Sequence, residues 1–124
     1  MKKKIAIIGS GIGGLTVANL LIKNPNFEIM VYEKESMLSL NQGYGIQLSV
    51  NSISILNKIG FGNIANNSIF NPLKLNFYSN NNKICDLDLG KFNSNLTKYT
   101  TLQRFTLIEF LKDKLFTNNF RFGK

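Results

Sequence analysis

The 124-residue sequence contains no histidine, no tryptophan, one cysteine and two prolines. Without histidine, the chain cannot build a Ser-His-Asp triad, a Cys-His dyad or the common zinc sites from its own residues, and we expect no metal site. A single cysteine, Cys85, excludes an internal disulfide and is typical of a reducing compartment, so we expect a cytoplasmic protein. No apolar run approaches the roughly 20 residues of a membrane span, and we expect no integral membrane segment.

Positive charge exceeds negative charge, with 15 Lys and Arg against 7 Asp and Glu, for a net charge of +8. Residues 2–4 are a lysine triplet, and the other basic residues are scattered along the chain. Binding to nucleic acid requires basic residues clustered on one face. The charge therefore indicates a basic protein surface, and we expect no nucleic-acid partner.

The opening 35 residues have the pattern of a strand, a glycine-rich turn, a helix and a second strand. Residues 5–8 are continuously apolar and mostly β-branched, which is typical of a strand buried on both faces of a parallel sheet. A second strand is predicted over residues 27–32, after the turn sequence Asn-Pro-Asn. The helix between them has one apolar face, formed by Leu15, Ala18, Leu21 and Ile22.

Gly9, Gly11 and Gly14 have the G-x-G-x-x-G spacing of a dinucleotide-binding turn. The first glycine permits a tight bend, the second leaves room for phosphate oxygens, and the third lets the helix pack closely on the strand. Glu33 lies about 20 residues beyond Gly14, near the position at which an acid accepts from a ribose hydroxyl and disfavours a 2′-phosphate. The spacing predicts FAD or NAD as the ligand but does not choose between them.

The middle of the sequence predicts a loop, a helix and a hairpin. Residues 36–48 read as a loop with two glycines, and residues 52–59 as a helix capped by Asn51 and closed by Gly60. Two alternating runs joined by residues 79–82 predict an antiparallel hairpin. The apolar positions of that helix are Ile53, Leu56 and Ile59, and those of the hairpin are Leu73, Leu75, Phe77, Cys85, Leu87 and Leu89.

Two features of the hairpin resemble catalytic groups. Asp86 and Asp88 alternate on one face, and we interpret them as a solvated surface and not as a catalytic carboxylate pair. Cys85 alternates with Leu87, so we expect a core residue and not a nucleophile. The sequence identifies no catalytic acid or base.

The last quarter of the sequence predicts a strand over residues 97–102, a helix opened by a Thr106–Glu109 capping box, and a third parallel strand over residues 120–122. Arg104 precedes the predicted helix, where the helix dipole disfavours a cation, which favours a contact between Arg104 and a phosphate or a flavin. The inward side of that helix is predicted to be Leu107, Ile108, Leu111 and Leu115.

Four segments, in order, resemble the FAD-dependent aromatic-ring hydroxylases, the p-hydroxybenzoate-hydroxylase-like flavoprotein monooxygenases: G-S-G-I-G-G-L-T-V-A-N-L-L, V-Y-E-K, G-Y-G-I-Q-L-S-V-N and Q-R-F-T-L. In that family a basic residue often follows the acid, here Lys34, and the third segment, which contains Gln47, is similar to G-x-G-I-x-L-x-P-N. The arginine of the R-x-x-L signature, here Arg104, contacts the flavin cofactor. The sequence departs from the pattern at Val50, where the family has proline, and at Asn24, where a glycine is common.

The resemblance implies an α/β fold: a Rossmann-like FAD-binding βαβ unit with an inserted antiparallel β-hairpin from the substrate-side sheet, incomplete relative to the full family fold. Residues 1–124 would be the N-terminal part of an FAD-binding domain. Within it, we expect the nucleotide unit over 1–35, the substrate-side hairpin and strand over 70–102, and a returning helix and strand over 103–124.

The function implied by the resemblance is hydroxylation of an aromatic or similar small-molecule substrate with FAD, NAD(P)H and O2. Two alternatives stay open, a catalytically inactive dinucleotide-binding fragment and the NAD-binding domain of a dehydrogenase. A complementary polypeptide is a further expected partner, because the family's later G-D motif and substrate domain are not in the sequence. The expected cofactor-binding residues are Gly9, Ser10, Gly11, Ile12, Gly13, Gly14, Glu33, Lys34, Gln47 and Arg104.

Overall fold

The computed structural model describes residues 1–38, 43–64 and 66–124, which form two units, Met1–Tyr44 with Arg104–Lys124, and Gly45–Gln103. Residues 39–42 of the predicted loop lie outside the described residues. In the described part of the chain, no helix has the length and apolar character needed to cross a membrane. The helices and strands are β1 (Lys3–Ile8), α1 (Ile12–Leu21), β2 (Phe27–Glu33), β3 (Gly45–Leu48), α2 (Val50–Asn57), β4 (Ile69–Phe70), β5 (Lys74–Ser79), β6 (Asn82–Asp88), β7 (Thr100–Gln103), α3 (Arg104–Lys112) and β8 (Phe120–Phe122).

The first unit contains a three-stranded parallel sheet in the order β1-β2-β8. Ile5 lies opposite Ile29, and Val31 lies opposite Phe120, so the predicted third parallel strand is confirmed. The helices α1 and α3 pack against each other. The buried apolar side chains of this unit are Leu15, Ala18, Ile29, Val31, Leu38, Leu107, Ile108, Leu111, Leu115 and Phe120.

Strand β1 is less buried than its sequence predicts. Ile5 and Ile7 are half-buried, whereas Ala6 is exposed and Ile8 is 82% exposed, so the prediction of a strand buried on both faces is wrong. Among the described strands, β1 pairs only with β2 and forms an edge of the sheet. Successive side chains of a strand point to opposite faces, and one set of β1 residues is left uncovered in the described residues.

Asn19 joins α1 to α3 through a buried hydrogen bond. Its side chain is 3% exposed, and Nδ2 donates to the carbonyl oxygens of Leu15 and Leu111, both at 2.8 Å. Leu111 lies in the last turn of α3, where helix carbonyls lack an intrahelical partner. The Asn19 amide therefore satisfies a helix end that packing removes from water.

Replacing Asn19 by alanine is expected to lower the free energy of unfolding by about 1–3 kcal/mol, because a buried carbonyl loses its donor. Urea unfolding followed by circular dichroism measures the change. Asn118→Ala, at an exposed position, is the matched control and should change stability by less than about 0.5 kcal/mol. Equal stabilities for the two variants would contradict the assigned role of Asn19.

The second unit contains an antiparallel sheet in the order β3-β7-β4 and the helix α2. Part of the predicted 36–48 loop is thus strand β3, and the strand predicted over 97–102 is β7. The predicted cap of α2 is wrong, because the helix follows Ser49 and Asn51 is an exposed residue inside its first turn. Gly60 adopts a left-handed φ of 89°, as a residue closing a helix does. The predicted apolar stripe of α2 is buried, at Ile53, Leu56 and Ile59.

The predicted hairpin is confirmed as the two-stranded antiparallel sheet of β5 and β6. Its turn residues Asn80 and Asn81 have φ of 48° and 65°, the left-handed conformation that asparagine tolerates in a tight hairpin turn. Cys85 lies opposite Phe77 but is exposed, so its predicted place in the core is wrong. The hairpin pairs with no other described strand, and both of its faces are largely exposed.

The two acidic residues of the hairpin have surface roles in the structure. Asp86 accepts from Lys83 at 2.9 Å and lies 3.4 Å from Lys74, and hydrogen bonds from these lysines lower the pKa of Asp86. Asp88 accepts from the backbone N–H of Gly90 at 3.0 Å. Both are exposed, as their alternation predicts.

Helix α3 begins earlier than predicted. The strand β7 ends at Gln103 and α3 starts at Arg104, so Thr106 and Glu109 lie inside the helix and the predicted capping box is wrong. The Arg104 N–H donates to the carbonyl oxygen of Tyr44 at 3.0 Å, which occupies one donor at this helix start.

Candidate functional site

The glycine turn between β1 and α1 is held at both ends by backbone contacts. Gly9 has φ of 93°, a conformation that favours glycine, and its N–H donates to the carbonyl oxygen of Tyr32 at 2.7 Å. A Cβ added at Gly14 would lie 2.0 Å from the Gly9 carbonyl oxygen, well inside contact distance. The first and third glycines of the motif are thus required by the fold itself.

The second glycine of the motif has a different environment. Gly11 caps α1 with an extended backbone (φ −70°, ψ 179°), and a Cβ added there would meet no heavy atom within 4 Å. No side chain caps the helix, and its first turn contains no acidic residue. The N–H groups of the first turn, including those of Ile12 and Gly13, belong to the set that lacks helical acceptors. The open space and these donors suit a pyrophosphate.

Glu33 ends β2 and is held by the turn. Its Oε2 accepts from the Ser10 N–H at 2.8 Å and from the Ser10 hydroxyl at 2.6 Å, and its Oε1 accepts from the Glu35 N–H at 3.1 Å. The Ser10 hydroxyl is the largest influence and, with these backbone donors, lowers the pKa of Glu33 from 4.5 to about 2. Glu33 is therefore an ionised acceptor at neutral pH.

A small open cleft of about 110 Å³ brings several predicted site residues together. Its volume is below the roughly 300–1,000 Å³ of a complete ligand pocket and suits one ring of a larger ligand. Arg104, from the first turn of α3, lines it, and its guanidinium carbon lies 5.9 Å from the centre of the Tyr44 ring. The residues lining the cleft are Ser10, Gly11, Glu33, Glu35, Leu38, Arg104 and Ile108.

Two predicted site residues, Lys34 and Gln47, are not among those that line the cleft. Lys34 points into solvent, with its side chain 85% exposed and Nζ 3.9 Å from Glu35 Oε1. Gln47 belongs to the second unit, where the Tyr99 hydroxyl donates to its Oε1 at 2.8 Å. Because Oε1 of Gln47 accepts this bond, the NH2 group is the part of the amide that can donate to a ligand. Sequence reasoning missed Tyr99, because its approach depends on the pairing of β3 with β7.

The described residues contain no group of three or more His, Cys, Asp or Glu side chains that could hold a metal ion. The polar groups that the structure does gather are backbone N–H donors, the carboxylates of Glu33 and Glu35, and the Arg104 guanidinium. Together with a parallel βαβ unit, they have the arrangement of a dinucleotide site of the Rossmann type. In agreement, the family described as an NAD(P)-binding Rossmann-like domain matches residues 7–42.

Sequence comparison relates the chain to ring monooxygenases. It is 44% identical over 59 residues to the 3-amino-4-hydroxybenzoate 2-monooxygenase PtnB3 of Streptomyces platensis, a match that covers 48% of this chain and 14% of that protein. It is 35% identical over 69 residues to the 6-hydroxynicotinate 3-monooxygenase of Pseudomonas fluorescens, covering 56% of this chain and 17% of that protein.

Two solved structures share the fold. The tetrameric form of 2-methyl-3-hydroxypyridine-5-carboxylic acid oxygenase superposes with a TM-score of 0.79 at 19% identity, covering 98% of this chain and 32% of that one. Klebsiella pneumoniae HpxO, complexed with FAD and uric acid, gives a TM-score of 0.76 at 22% identity, covering 98% and 31%. The chain spans less than a fifth of the curated relatives and about a third of these structures. The predicted resemblance is confirmed: the chain is similar in sequence to ring monooxygenases and similar in fold to a structure that contains FAD.

Proposed function

We propose that this chain binds FAD and forms the nucleotide-binding portion of a flavin-dependent monooxygenase. The observation that carries the proposal is the arrangement of Gly11, the start of α1 and Glu33 around one side of the βαβ unit, with Ser10 fixing the carboxylate. Two similarities favour FAD over NAD: the chain is similar in sequence to ring monooxygenases, and one solved structure that shares its fold contains FAD.

Each end of the nucleotide has a proposed contact on this chain. The first-turn N–H groups of α1, from Ile12 to Gly14, bind the pyrophosphate, and the dipole of the ten-residue helix favours the negative charge. Glu33 accepts from a ribose hydroxyl and repels a 2′-phosphate. Arg104 donates through its guanidinium to a phosphate or to the flavin edge, and Gln47 donates through its NH2 group. Lys34 is proposed to contribute to cofactor binding only through long-range electrostatic attraction.

The hydroxylation reaction itself is part of the proposal. FAD reduced by NAD(P)H supplies the electrons that activate O2, and the protein supplies binding and orientation. A small aromatic or similar ring is the proposed substrate, since the relatives are named for hydroxylated benzoate and nicotinate rings.

Further polypeptide, on the same or a complementary chain, is proposed for the complete reaction because the relatives are several times longer than the aligned segments. The exposed hairpin supports this, since isolated two-stranded hairpins are marginally stable in water. The cytoplasm is the proposed location, and the free, exposed thiol of Cys85 suits its reducing conditions.

Replacing Glu33 by glutamine is expected to weaken FAD binding by about ten-fold or more, because a charge-assisted hydrogen bond to the ribose becomes a neutral one. Quenching of flavin fluorescence on titration measures the dissociation constant. Glu109→Gln, at an exposed position of α3, removes the same charge away from the cleft and should bind FAD as the parent does.

Titration with FAD and with NAD+, together with an assay of NAD(P)H oxidation, distinguishes the competing functions. A folded chain that binds neither FAD nor NAD+ would refute the proposal, and tighter binding of NAD+ than of FAD would favour the dehydrogenase-type domain. FAD binding without NAD(P)H oxidation is the result for an inactive dinucleotide-binding fragment, and oxidation restored by added polypeptide would identify a complementary chain.

A further inference from the structure

We propose that Ser10 is a positioning residue, which acts on the nucleotide by holding the Glu33 carboxylate and not by touching the ligand itself. This inference rests on the proposed function of the cleft. It changes the role expected for Ser10, which the glycine motif alone would place among the residues in contact with the cofactor.

The direction of the Ser10 hydroxyl carries the inference. Its Oγ donates to Glu33 Oε2 at 2.6 Å, an ordinary distance for a hydroxyl bonded to a carboxylate. The hydroxyl has one proton, and this bond uses it, so the hydroxyl does not donate to a phosphate. Ser10 lines the cleft but is only 5% exposed, so little of its side chain is open to a ligand there.

The two donors of Ser10 meet the same oxygen. The backbone N–H reaches Glu33 Oε2 at 2.8 Å, so the turn and the end of β2 are joined by a pair of bonds across 23 sequence positions. Such a pair fixes the rotation of the carboxylate, which a single bond would leave variable. Oε1, with one longer bond of 3.1 Å from the Glu35 N–H, is the oxygen we assign to the ribose hydroxyl.

The Ser10 hydroxyl has the largest effect on the pKa of Glu33. The other charged groups that line the cleft are Glu35, two positions along the chain, and Arg104 of α3. Lys34 is largely in solvent and its ammonium group is nearest to Glu35. The Ser10 hydroxyl therefore holds the Glu33 carboxylate in place and ionised, as a charged partner does at other carboxylates.

The test uses Ser10→Ala, which removes the hydroxyl and keeps the backbone donor. Carbon-13 NMR of the Glu33 carboxyl, without any nucleotide, should show its pKa rising by about one unit or more from the value near 2. FAD affinity at pH 7 should fall by about three- to ten-fold. Ser68→Ala, at an exposed serine of the second unit, is the control and should change neither quantity.

A double-substitution cycle tests whether Ser10 acts through Glu33. In a Glu33→Gln background, adding Ser10→Ala should cost less than about two-fold in FAD affinity, because the group that it positions is already altered. An unchanged Glu33 pKa in folded Ser10→Ala would overturn the proposal, and so would an equal loss of FAD affinity in both backgrounds. Failure of the parent chain to bind FAD, with the pKa change present, would instead refute the proposed function of the cleft.

Discussion

Replacing Gly14 by alanine is expected to lower the free energy of unfolding by about 3 kcal/mol or more, enough to unfold a large part of the population of a marginally stable chain. The added Cβ would lie 2.0 Å from the Gly9 carbonyl oxygen and 3.4 Å from Cγ2 of Ile7. The first of these contacts is with backbone, which cannot rotate away as a side chain does. Urea unfolding followed by circular dichroism gives the change in stability.

The neighbouring glycine of the same helix is the matched control. Gly13 lies one residue earlier in α1, is exposed, and a Cβ there meets no heavy atom within 4 Å. Alanine at this position should stabilise the chain by about 0.5–1 kcal/mol, since glycine inside a helix is entropically unfavourable. Similar stabilities for Gly13→Ala and Gly14→Ala would show that the helix does not pack on the turn as described.

The βαβ unit was predictable because its signals are local and agree with one another. The spacing of Gly9 and Gly14 requires a close approach between turn and helix, and in the structure a Cβ added at Gly14 would lie 2.0 Å from the Gly9 carbonyl oxygen. An Asn-Asn turn between alternating runs likewise predicted the hairpin, whose register depends on the turn. Patterns of this kind are confined to short sequence separations, where few competing arrangements exist.

The errors have a common physical origin in tertiary context. Alternation placed Cys85 in a core and a β-branched run placed Ile8 inside a sheet, yet both are exposed. Periodicity reports which side of a strand is apolar, but only the neighbouring elements decide whether that side is covered. Helix starts were also displaced, by two residues at Asn51 and by three at Thr106, because strand pairing fixed where the preceding segment ended.

Within the candidate site, the sequence predicted the residue types but not their partners. Glu33 was identified by its distance from the glycines, whereas its attachment to Ser10 depends on the adjacent ends of β1 and β2. Tyr99 reaches Gln47 only through the pairing of two strands that are distant in sequence. Contacts across long separations carry no periodic signal, so a single sequence does not specify them.

Gly11→Val is expected to weaken FAD binding by about 100-fold or more while leaving the fold intact. Binding and folding can be separated at this position because a Cβ on Gly11 meets no heavy atom of the described residues within 4 Å. Its backbone is also extended, a conformation that valine adopts readily. Gly11 lines the cleft beside Glu33, at the N-terminus of α1. Three added carbons would therefore occupy the space proposed for the pyrophosphate. Fluorescence titration of FAD measures affinity, and urea unfolding confirms the fold.

Two further variants test whether the loss of affinity in Gly11→Val comes from a clash with the ligand. Gly62→Val adds the same side chain in the second unit, where the nearest atom to a new Cβ is Asn57 Oδ1 at 3.8 Å, and it should bind FAD as the parent does. Gly11→Ala should give an intermediate loss, because one carbon displaces less of the phosphate than three. If Gly11→Val binds FAD as tightly as the parent, the pyrophosphate does not lie against this turn, and the first-turn N–H groups of α1 are not its ligands. A loss of affinity without a loss of stability would support that placement, since a Cβ on Gly11 meets none of the described heavy atoms within 4 Å.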